Sequence, residues 1–249
     1  GNFAYLACRF EGLQIVDITD PSAPVLVGSV DTPGSAQSVT IDGQLAYVAD
    51  GSGGVCVIDV SNRSLPSIFG SYDTPSSARQ VLIRGPVAYV PDRTTGLIAL
   101  DISDPTDPRH ISTLPGLGDA RSITDFGHLA FIADFNGAVH MIDIADPLDM
   151  QLLQSTPTLG TARAITNDAG TIYLADGDAG LTILQARPCW YRPCPADLND
   201  DEVLDFFDVQ LFLIAYSASD GLADWNDDGQ INFFDVQRYL IDFSAGCVF

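Results

Sequence analysis

The chain contains no lysine, so its 11 basic residues are all arginines, and they face 33 acidic residues for a formal net charge of −22 at pH 7. A surface this negative repels phosphate backbones, which excludes nucleic-acid binding. The chain also lacks any apolar run long enough to span a bilayer, so we expect no membrane span. It has no initiator methionine and no signal peptide, and we therefore expect a processed or trimmed product.

Motifs for catalysis are missing as well. The three histidines, His110, His128 and His140, show no ligand spacing, and no nucleophile elbow, P-loop or zinc-protease motif occurs. The sequence therefore predicts a protein that is not an enzyme, with a hydrolase or lyase that uses a channel site as an alternative. Five cysteines together with the strong acidity favour a secreted, extracellular or cell-surface location.

What the chain does have is an internal repeat. An aromatic residue recurs every 42 residues, at Tyr5, Tyr47, Tyr89, Phe131 and Tyr173. Each repeat holds four short apolar runs, rich in Val, Ile and Tyr and separated by Gly, Pro, Asp and Asn, which favours strands over helices. Four strands in each unit of this length are typical of a β-propeller blade.

The motif LQIVD (13–17) and its relatives VCVID, LIALD and VHMID resemble the LVIVD-repeat propeller family over about residues 3–186. The resemblance implies a mainly β fold, a five-bladed β-propeller over residues 1–187. The innermost strand of each blade would follow a small residue suited to the crowded axis. These residues are Ala36, Ala78, Ala120 and Ala162. The first blade would lack its inner strand and the fifth its outer one, a gap that residues 187–193 or a strand from another copy could fill.

Charged residues follow the same period. One row aligns Gln37 with three arginines, and a second row aligns Cys8 with four aspartates. We interpret the two rows as arginine–aspartate pairs that fasten neighbouring blades, or alternatively as a polar ring that binds a ligand or cation at one mouth of the channel. A third row of aspartates precedes turns and is predicted to cap them. The three rows are Arg79, Arg121 and Arg163; Asp50, Asp92, Asp134 and Asp176; and Asp17, Asp59, Asp101 and Asp143.

The pattern changes after residue 187. Residues 194–249 carry twelve acidic residues and one arginine, and two related segments, 197–208 and 224–235, place oxygen-bearing residues at loop positions 1, 3, 5, 9 and 12. Ca²⁺ takes six to eight hard oxygen ligands, and a loop that wraps one ion presents alternate residues to it. We therefore predict two bound Ca²⁺ ions, with a main-chain carbonyl ligand at position 7. The predicted ligands are Asp197, Asn199, Asp201, Val203, Asp205 and Asp208 in the first loop, and Asp224, Asn226, Asp228, Gln230, Asn232 and Asp235 in the second.

The two loops differ at position 6, where the backbone must turn through positive φ. Gly229 suits that conformation, whereas Glu202 costs on the order of 1 kcal/mol there. We therefore expect weaker calcium binding in the first loop than in the second.

Each loop is followed by a helical pattern of apolar residues. The two patterns are Val209, Phe212, Leu213 and Tyr216, and Val236, Tyr239, Leu240 and Phe243. Paired loop–helix units that end in Asp at position 12 resemble a dockerin domain, and the ending SAGC (244–247) resembles the GC-type dockerins of secreted bacterial proteins. The resemblance implies a small all-α calcium-binding domain over 197–249, after a hinge at 188–196.

The dockerin resemblance also implies a partner and a covalent closure. The partner would be cohesin-like, and Phe206, Phe207, Phe233 and Phe234 would contact it, with at least one pair exposed. A disulfide between Cys194 and Cys247 would close the domain. Cys8 could separately join Cys189.

Together these features predict a secreted, non-catalytic scaffold or binding protein. The propeller would be an interaction platform, and the dockerin-like tail would anchor it to a protein partner. The alternative is a subunit of a self-assembling extracellular fibre or surface structure, in which the partner is another copy of the chain.

Overall fold

The computed structural model describes residues 2–185, 198, 206–218, 223–225 and 230–245. The chain divides into two compact units, Gly1–Ala186 and Arg187–Phe249, which are treated separately below. Cys189, Cys194 and Cys247 lie outside the described residues, as do the predicted hinge, most of the first predicted calcium loop and residues 226–229 of the second. Within the described part, no helix is long and apolar enough to cross a membrane.

The first unit is built from five antiparallel sheets, which confirms the five-bladed β-propeller. Each sheet is a meander in which consecutive strands are neighbours. Blade 1 contains β1 (Phe3–Ala7), β2 (Leu13–Asp17) and β3 (Val25–Val30). Blade 2 contains β4 (Ser38–Asp42), β5 (Leu45–Ala49), β6 (Val55–Asp59) and β7 (Ser67–Tyr72). Blade 3 contains β8 (Leu82–Arg84), β9 (Val87–Asp92), β10 (Gly96–Asp101) and β11 (Arg109–Leu114). Blade 4 contains β12 (Ala120–Phe126), β13 (Leu129–Asp134), β14 (Ala138–Asp143) and β15 (Gln151–Pro157). Blade 5 contains β16 (Ala164–Asp168), β17 (Thr171–Ala175) and β18 (Leu181–Gln185).

The ragged ends predicted from the repeat are confirmed for the described residues. Blade 1 begins at the strand that is second in the complete blades, and blade 5 ends at the strand that is third. In blades 1 to 4, the pairing between the outer strand and its neighbour shifts register at one repeat position. In blade 2 this shift lies opposite Val57 and Ile58 of β6. Such a shift increases the local twist of each blade in the same place.

The central strands are buried on both faces because each blade is covered by its two neighbours. One face of blade 2, with Tyr47, Val55 and Val57, packs against Val90 and Ile98 of blade 3. The same arrangement recurs between blades 1 and 2, 3 and 4, and 4 and 5. Successive side chains of a strand point to opposite faces, so one strand serves two interfaces.

Hydrogen bonds between inner strands add to this packing near the axis. Thr40 donates its hydroxyl to the carbonyl of Val81 at 2.6 Å, which joins blades 2 and 3. Ser122 donates to the side-chain oxygen of Gln80 at 2.8 Å and accepts from the main-chain N–H of Ile165 at 3.1 Å, which joins blades 3, 4 and 5. The inner edge of the propeller is therefore bonded directly from blade to blade.

The two ends of the row of blades are uncovered. Leu181 and Ile183 in blade 5 are 63% and 57% exposed, whereas their equivalents Val55 and Val57 in blade 2 are fully buried. On the opposite face of blade 1, Leu6 is 44% exposed. Blades 1 and 5 therefore do not cover each other in the way that every other neighbouring pair does.

The second unit contains two helices, α1 (Phe206–Ala218) and α2 (Phe233–Ala245). Its core is aromatic: the rings of Phe212 and Tyr239 stack with centroids 4.1 Å apart, and Trp225 meets both edge-on. The predicted helical faces are correct in part, because Leu213 and Leu240 are exposed instead of buried. Two short helices bury only a narrow strip of each other, and these leucines lie beyond its edge.

Candidate functional site

The row of aspartates at the end of the second strand of each blade forms a buried hydrogen-bonding site. In blade 2, Asp50 accepts a hydrogen bond from the hydroxyl of Thr32 at 2.6 Å and from the main-chain N–H of Gly34 at 2.6 Å. Thr32 and Gly34 belong to the loop that leads from blade 1 into blade 2. The carboxylate therefore holds the connection between two blades, and the same pairing recurs at Asp92 and Asp176.

Blade 4 departs from this pattern because Gly116 occupies the repeat position of the threonine. Asp134 instead accepts hydrogen bonds from the main-chain N–H groups of Asp119 and Asn136, at 2.7 Å and 2.9 Å. The buried ring of His140 adds a contact, with Nε2 3.6 Å from Asp134 Oδ2. In blade 4 the carboxylate is therefore retained, and main-chain N–H groups and His140 contact it in place of the threonine.

The predicted arginine–aspartate pairing across blades is wrong. The row of aspartates is buried among hydroxyls and main-chain N–H groups, whereas Arg79 donates to Gln37 Oε1 at 3.2 Å and Arg121 donates to Asp119 Oδ2 at 2.9 Å. The sequence reasoning missed the threonines that donate to these aspartates, although they too follow a pattern in the sequence. A threonine recurs with the same period at Thr32, Thr74 and Thr158, and proline follows the first two.

The third row of aspartates caps turns, as predicted. Oδ1 of each member accepts a hydrogen bond from the main-chain N–H two residues later. These bonds join Asp17 to Thr19, Asp59 to Ser61, Asp101 to Ser103 and Asp143 to Ala145, at 2.8 to 2.9 Å. Hydrogen bonds to a carboxylate favour its charged form, and the pKa values of Asp17, Asp59 and Asp101 are accordingly lowered.

Four of the eleven arginines gather at the end of the inner strands, next to the buried aspartates. We call Arg79, Arg93, Arg121 and Arg163 the arginine cluster. Asp119 lies between two of them, with Oδ1 3.6 Å from the Nε of Arg93 and Oδ2 2.9 Å from Arg121. The ring of Phe135 lies beneath Arg121, whose guanidinium carbon is 3.4 Å from the ring centroid, and Arg163 is 5.4 Å from the same centroid.

The C-terminal unit shows the closing ends of the two predicted calcium loops. Asp208 and Asp235, the residues at loop position 12, are fully buried. Each accepts a 2.9 Å hydrogen bond from the main-chain N–H at loop position 2, which belongs to Leu198 or Trp225. Both loops therefore fold back so that the last carboxylate reaches the start of its own loop.

The remaining predicted ligands are described only in part. Asp224, Gln230 and Asn232 are described, and Asn232 Oδ1 accepts a hydrogen bond from Phe234 N at 2.9 Å, at the start of α2. The other predicted ligands lie outside the described residues. The described residues alone contain no cluster of three or more His, Cys, Asp or Glu arranged to hold a metal ion.

The predicted contact phenylalanines lie at the first turns of the two helices. Phe206, Phe233 and Phe234 are 72%, 69% and 65% exposed, and the side chain of Phe207 lies outside the described residues. Phe206 and Phe233 occupy equivalent positions, so the two halves of the unit present the same side chain.

Cys8 and Cys56 are free thiols, so Cys8 forms no link to another cysteine. Cys56 is fully buried, and its burial together with the nearby Asp50 carboxylate raises its pKa to about 12. It therefore behaves as a small apolar side chain in the contact between blades 1 and 2.

A family model described as the LVIVD repeat matches the chain four times, over residues 1–32, 33–74, 75–113 and 117–158, which together make up more than half of it. The chain belongs to the LVIVD repeat family. The matches correspond to blades 1 to 4, and blade 5 adds a further unit of the same period. No curated protein shows significant similarity to this LVIVD repeat chain.

Solved structures support the fold of the repeat region. The computationally designed Ika8 protein has a TM-score of 0.60 at 9% identity, and the match covers 74% of this chain and 56% of Ika8. The designed Ika4 protein has a TM-score of 0.53 at 9% identity, covering 64% of this chain and 96% of Ika4. A functionally unknown protein from Desulfotomaculum acetoxidans has a TM-score of 0.57 at 15% identity, covering 70% and 61%. The LVIVD repeat chain thus spans less than two thirds of two of these structures.

Proposed function

We propose that the protein is a secreted, non-catalytic scaffold in which the propeller is an interaction platform and the C-terminal unit docks a partner protein. The observation that carries the docking role is the exposure of Phe206, Phe233 and Phe234 at the helix starts. Large aromatic side chains left in water at equivalent positions of a paired unit are typical of a binding surface. The buried aspartates of the propeller support the platform role, because they fix the loops between blades.

We propose that two Ca²⁺ ions hold the docking surface in place. The closing carboxylates Asp208 and Asp235 already lie at the starts of their loops, where they would join the other oxygen ligands. Each loop also leads directly into a helix that carries an exposed phenylalanine at its first position. An ion bound in the loop would therefore fix the helix start and its phenylalanine together.

Calorimetry on the whole chain tests the docking role. Titration with CaCl₂ should show two ions bound, the tighter at the loop that begins at Asp224. Titration of the calcium-loaded chain with a set of purified bacterial cohesin modules should then show binding that EDTA abolishes. The double variant Phe233→Ala, Phe234→Ala should bind about tenfold or more weakly, because exposed aromatic anchors dominate such interfaces.

The matched control for this experiment is Leu159→Ala, which removes a fully exposed apolar side chain from the propeller unit. It should leave both calcium binding and partner binding unchanged. Absence of calcium binding, or cohesin binding that the phenylalanine variant does not weaken, would contradict the docking role.

A second candidate function is self-assembly into a fibre or surface structure. The uncovered faces at the two ends of the propeller favour it, because Leu181 and Ile183 at one end are the counterparts of residues that pack against a following blade elsewhere. Another copy could supply that following blade through its own blade 1. The third alternative, a channel-site hydrolase or lyase, has no specific observation in its favour.

A further inference from the structure

The arginine cluster (Arg79, Arg93, Arg121 and Arg163) is unusual because it concentrates positive charge in a chain that has little. These side chains are four of 11 basic residues in a molecule of net charge −22. Arg79, Arg121 and Arg163 occupy one position of the repeat, at or just before the start of the inner strands of blades 3, 4 and 5, and Arg93 follows the buried aspartate of blade 3. They therefore converge at one end of the channel.

The contacts within the cluster leave most of its hydrogen-bond donors unused. A guanidinium carries five N–H groups. Among the described residues, Arg79 donates to Gln37 Oε1 and Arg121 to Asp119 Oδ2. Within the described part of the chain, Arg163 has a ring contact with Phe135 and no side-chain hydrogen bond or ion pair. Asp119 and the nearby Asp92 carboxylate offset part of this positive charge.

Gathering these charges has a cost that Asp119 and Asp92 offset only in part. Burial and the neighbouring guanidinium of Arg121 lower the pKa of Arg79, and Arg93 adds to the effect, which means that the charged form is destabilised where it lies. The Nε atoms of Arg79 and Arg121 are also buried without a hydrogen-bond partner in the described structure. Fastening blades explains only part of this arrangement, because Arg79 donates to Gln37 of blade 2 while its Nε has no partner in the described structure.

Arg93 lies at a repeat position where the backbone is left-handed. Arg93 has a φ of 41°, a conformation that is unfavourable for a residue with a side chain. The equivalent residues are Gly51 and Gly177 in blades 2 and 5, with φ values of 59° and 55°, and Arg9 in blade 1, with a φ of 51°. The left-handed backbone therefore belongs to this repeat position, and blades 1 and 3 carry an arginine there at a cost that glycine avoids.

We propose that the arginine cluster binds a small multivalent oxyanion at the mouth of the propeller channel. Planar guanidinium groups bind carboxylate, sulfate and phosphate groups through paired hydrogen bonds. Phe135 stacks beneath Arg121 and holds its guanidinium in a fixed orientation before any ligand arrives. The acidic remainder of the surface confines anion binding to this end of the channel. This site is independent of the docking role, since it lies wholly within the propeller unit.

Isothermal titration calorimetry at low ionic strength tests the proposal on the whole chain, with citrate, sulfate and phosphate as separate titrants. We expect saturable binding of one ion per chain for at least one titrant, and their relative affinities distinguish a carboxylate ligand from a tetrahedral oxyanion. The variants Arg79→Gln, Arg121→Gln and Arg163→Gln should each bind about tenfold more weakly, because each removes a charge-assisted hydrogen-bonding group.

Arg109→Gln is the matched control, because it makes the same charge change on an exposed outer strand, where Arg109 pairs only with Asp107. Its affinity should equal that of the unmodified chain. Because Arg163 is exposed, Arg163→Gln should leave the fold intact and so keeps the test valid if the other variants misfold. Circular dichroism checks the fold of all variants. No saturable binding with any titrant, or equal weakening by Arg109→Gln and by the cluster variants, would overturn the proposal.

Discussion

At the scale of single residues, the buried aspartates have the largest structural role in this propeller. Each accepts hydrogen bonds from neighbouring donors: Asp92 accepts from the Thr74 hydroxyl at 2.7 Å and from the Ser76 N–H at 2.9 Å. Donors buried without an acceptor cost far more than a hydrogen bond contributes when it forms. The loop between blades therefore depends on a carboxylate that lies on the following blade.

The variant Asp92→Ala should destabilise the propeller by about 2–4 kcal/mol, because it leaves the buried Thr74 hydroxyl and the partly buried Ser76 N–H without this acceptor. Urea unfolding followed by circular dichroism measures the loss as a lower midpoint. Asp107→Ala is the control in the same blade, because Asp107 is exposed and pairs with an exposed arginine. It should cost less than about 1 kcal/mol. Equal losses in the two variants would show that the buried hydrogen bonds are not decisive.

At the scale of elements, two capping aspartates occupy each turn between the third and fourth strands of blades 1, 3 and 4. In blade 3, Asp101 accepts from the N–H of Ser103 and Asp104 from the N–H of Thr106. Blade 2 has Asn62 at the second of these positions, and its Oδ1 accepts from the N–H of Ser64 at 3.2 Å. An amide can therefore cap this turn without carrying a charge.

This substitution within the repeat leads to a prediction for acid stability. Side-chain hydrogen bonds from Ser22 and Thr106 lower the pKa values of Asp20 and Asp104 from 3.8. A carboxyl whose pKa is lower in the folded state stabilises the fold fully above its unfolded pKa, and this contribution is lost as pH falls through the folded value. The urea midpoint of the chain should therefore fall as pH decreases below about 4.

The double variant Asp20→Asn, Asp104→Asn should keep its caps and lose less stability than the unmodified chain over that interval. The pH dependence of the urea midpoint, measured between neutral pH and the acid limit, provides the comparison. Asp20→Ala, Asp104→Ala is the control, because it should be less stable already at neutral pH. An unchanged acid dependence in the asparagine variant would mean that these turns do not contribute to it.

The elements also show what the sequence could and could not predict. The spacing of Tyr47 and its equivalents was sufficient to predict the blades, because each blade repeats the same alternation of buried side chains. The side-chain partners across blades were harder to predict. Arg79 and Asp92 recur with the same period, but a shared period does not show which side chains face each other. Ala78, the residue before Arg79, is buried in the contact between blades 2 and 3. Leu213 followed the helical period, but its exposure depends on how much surface the second helix covers.

At the scale of the whole molecule, the contact between neighbouring blades could be repeated between two copies of the chain. The face with Leu181 and Ile183 on blade 5 and the face with Leu6 on blade 1 are the two halves of the contact that every internal pair of blades buries. A second copy that placed its blade 1 on blade 5 would reproduce this contact. Such a head-to-tail interface either closes a ring of copies or continues as a fibre.

This arrangement predicts an association that depends on concentration and does not need calcium. Size-exclusion chromatography with light scattering should show dimers or larger species whose proportion rises with protein concentration and persists in EDTA. The double variant Leu181→Asp, Ile183→Asp should be monomeric, because burying two carboxylates in an apolar contact costs several kcal/mol. Both positions are exposed in the single chain, so the substitutions should leave its fold intact.

Leu148→Asp is the control, because it adds a negative charge at an exposed leucine of blade 4, whereas the end faces belong to blades 1 and 5. It should associate like the unmodified chain. A monomer at all concentrations would contradict assembly through the blades, and an association abolished by EDTA would assign it to the C-terminal unit instead. The two proposed roles are thus separable, since one depends on the apolar end faces of the propeller and the other on calcium and the exposed phenylalanines.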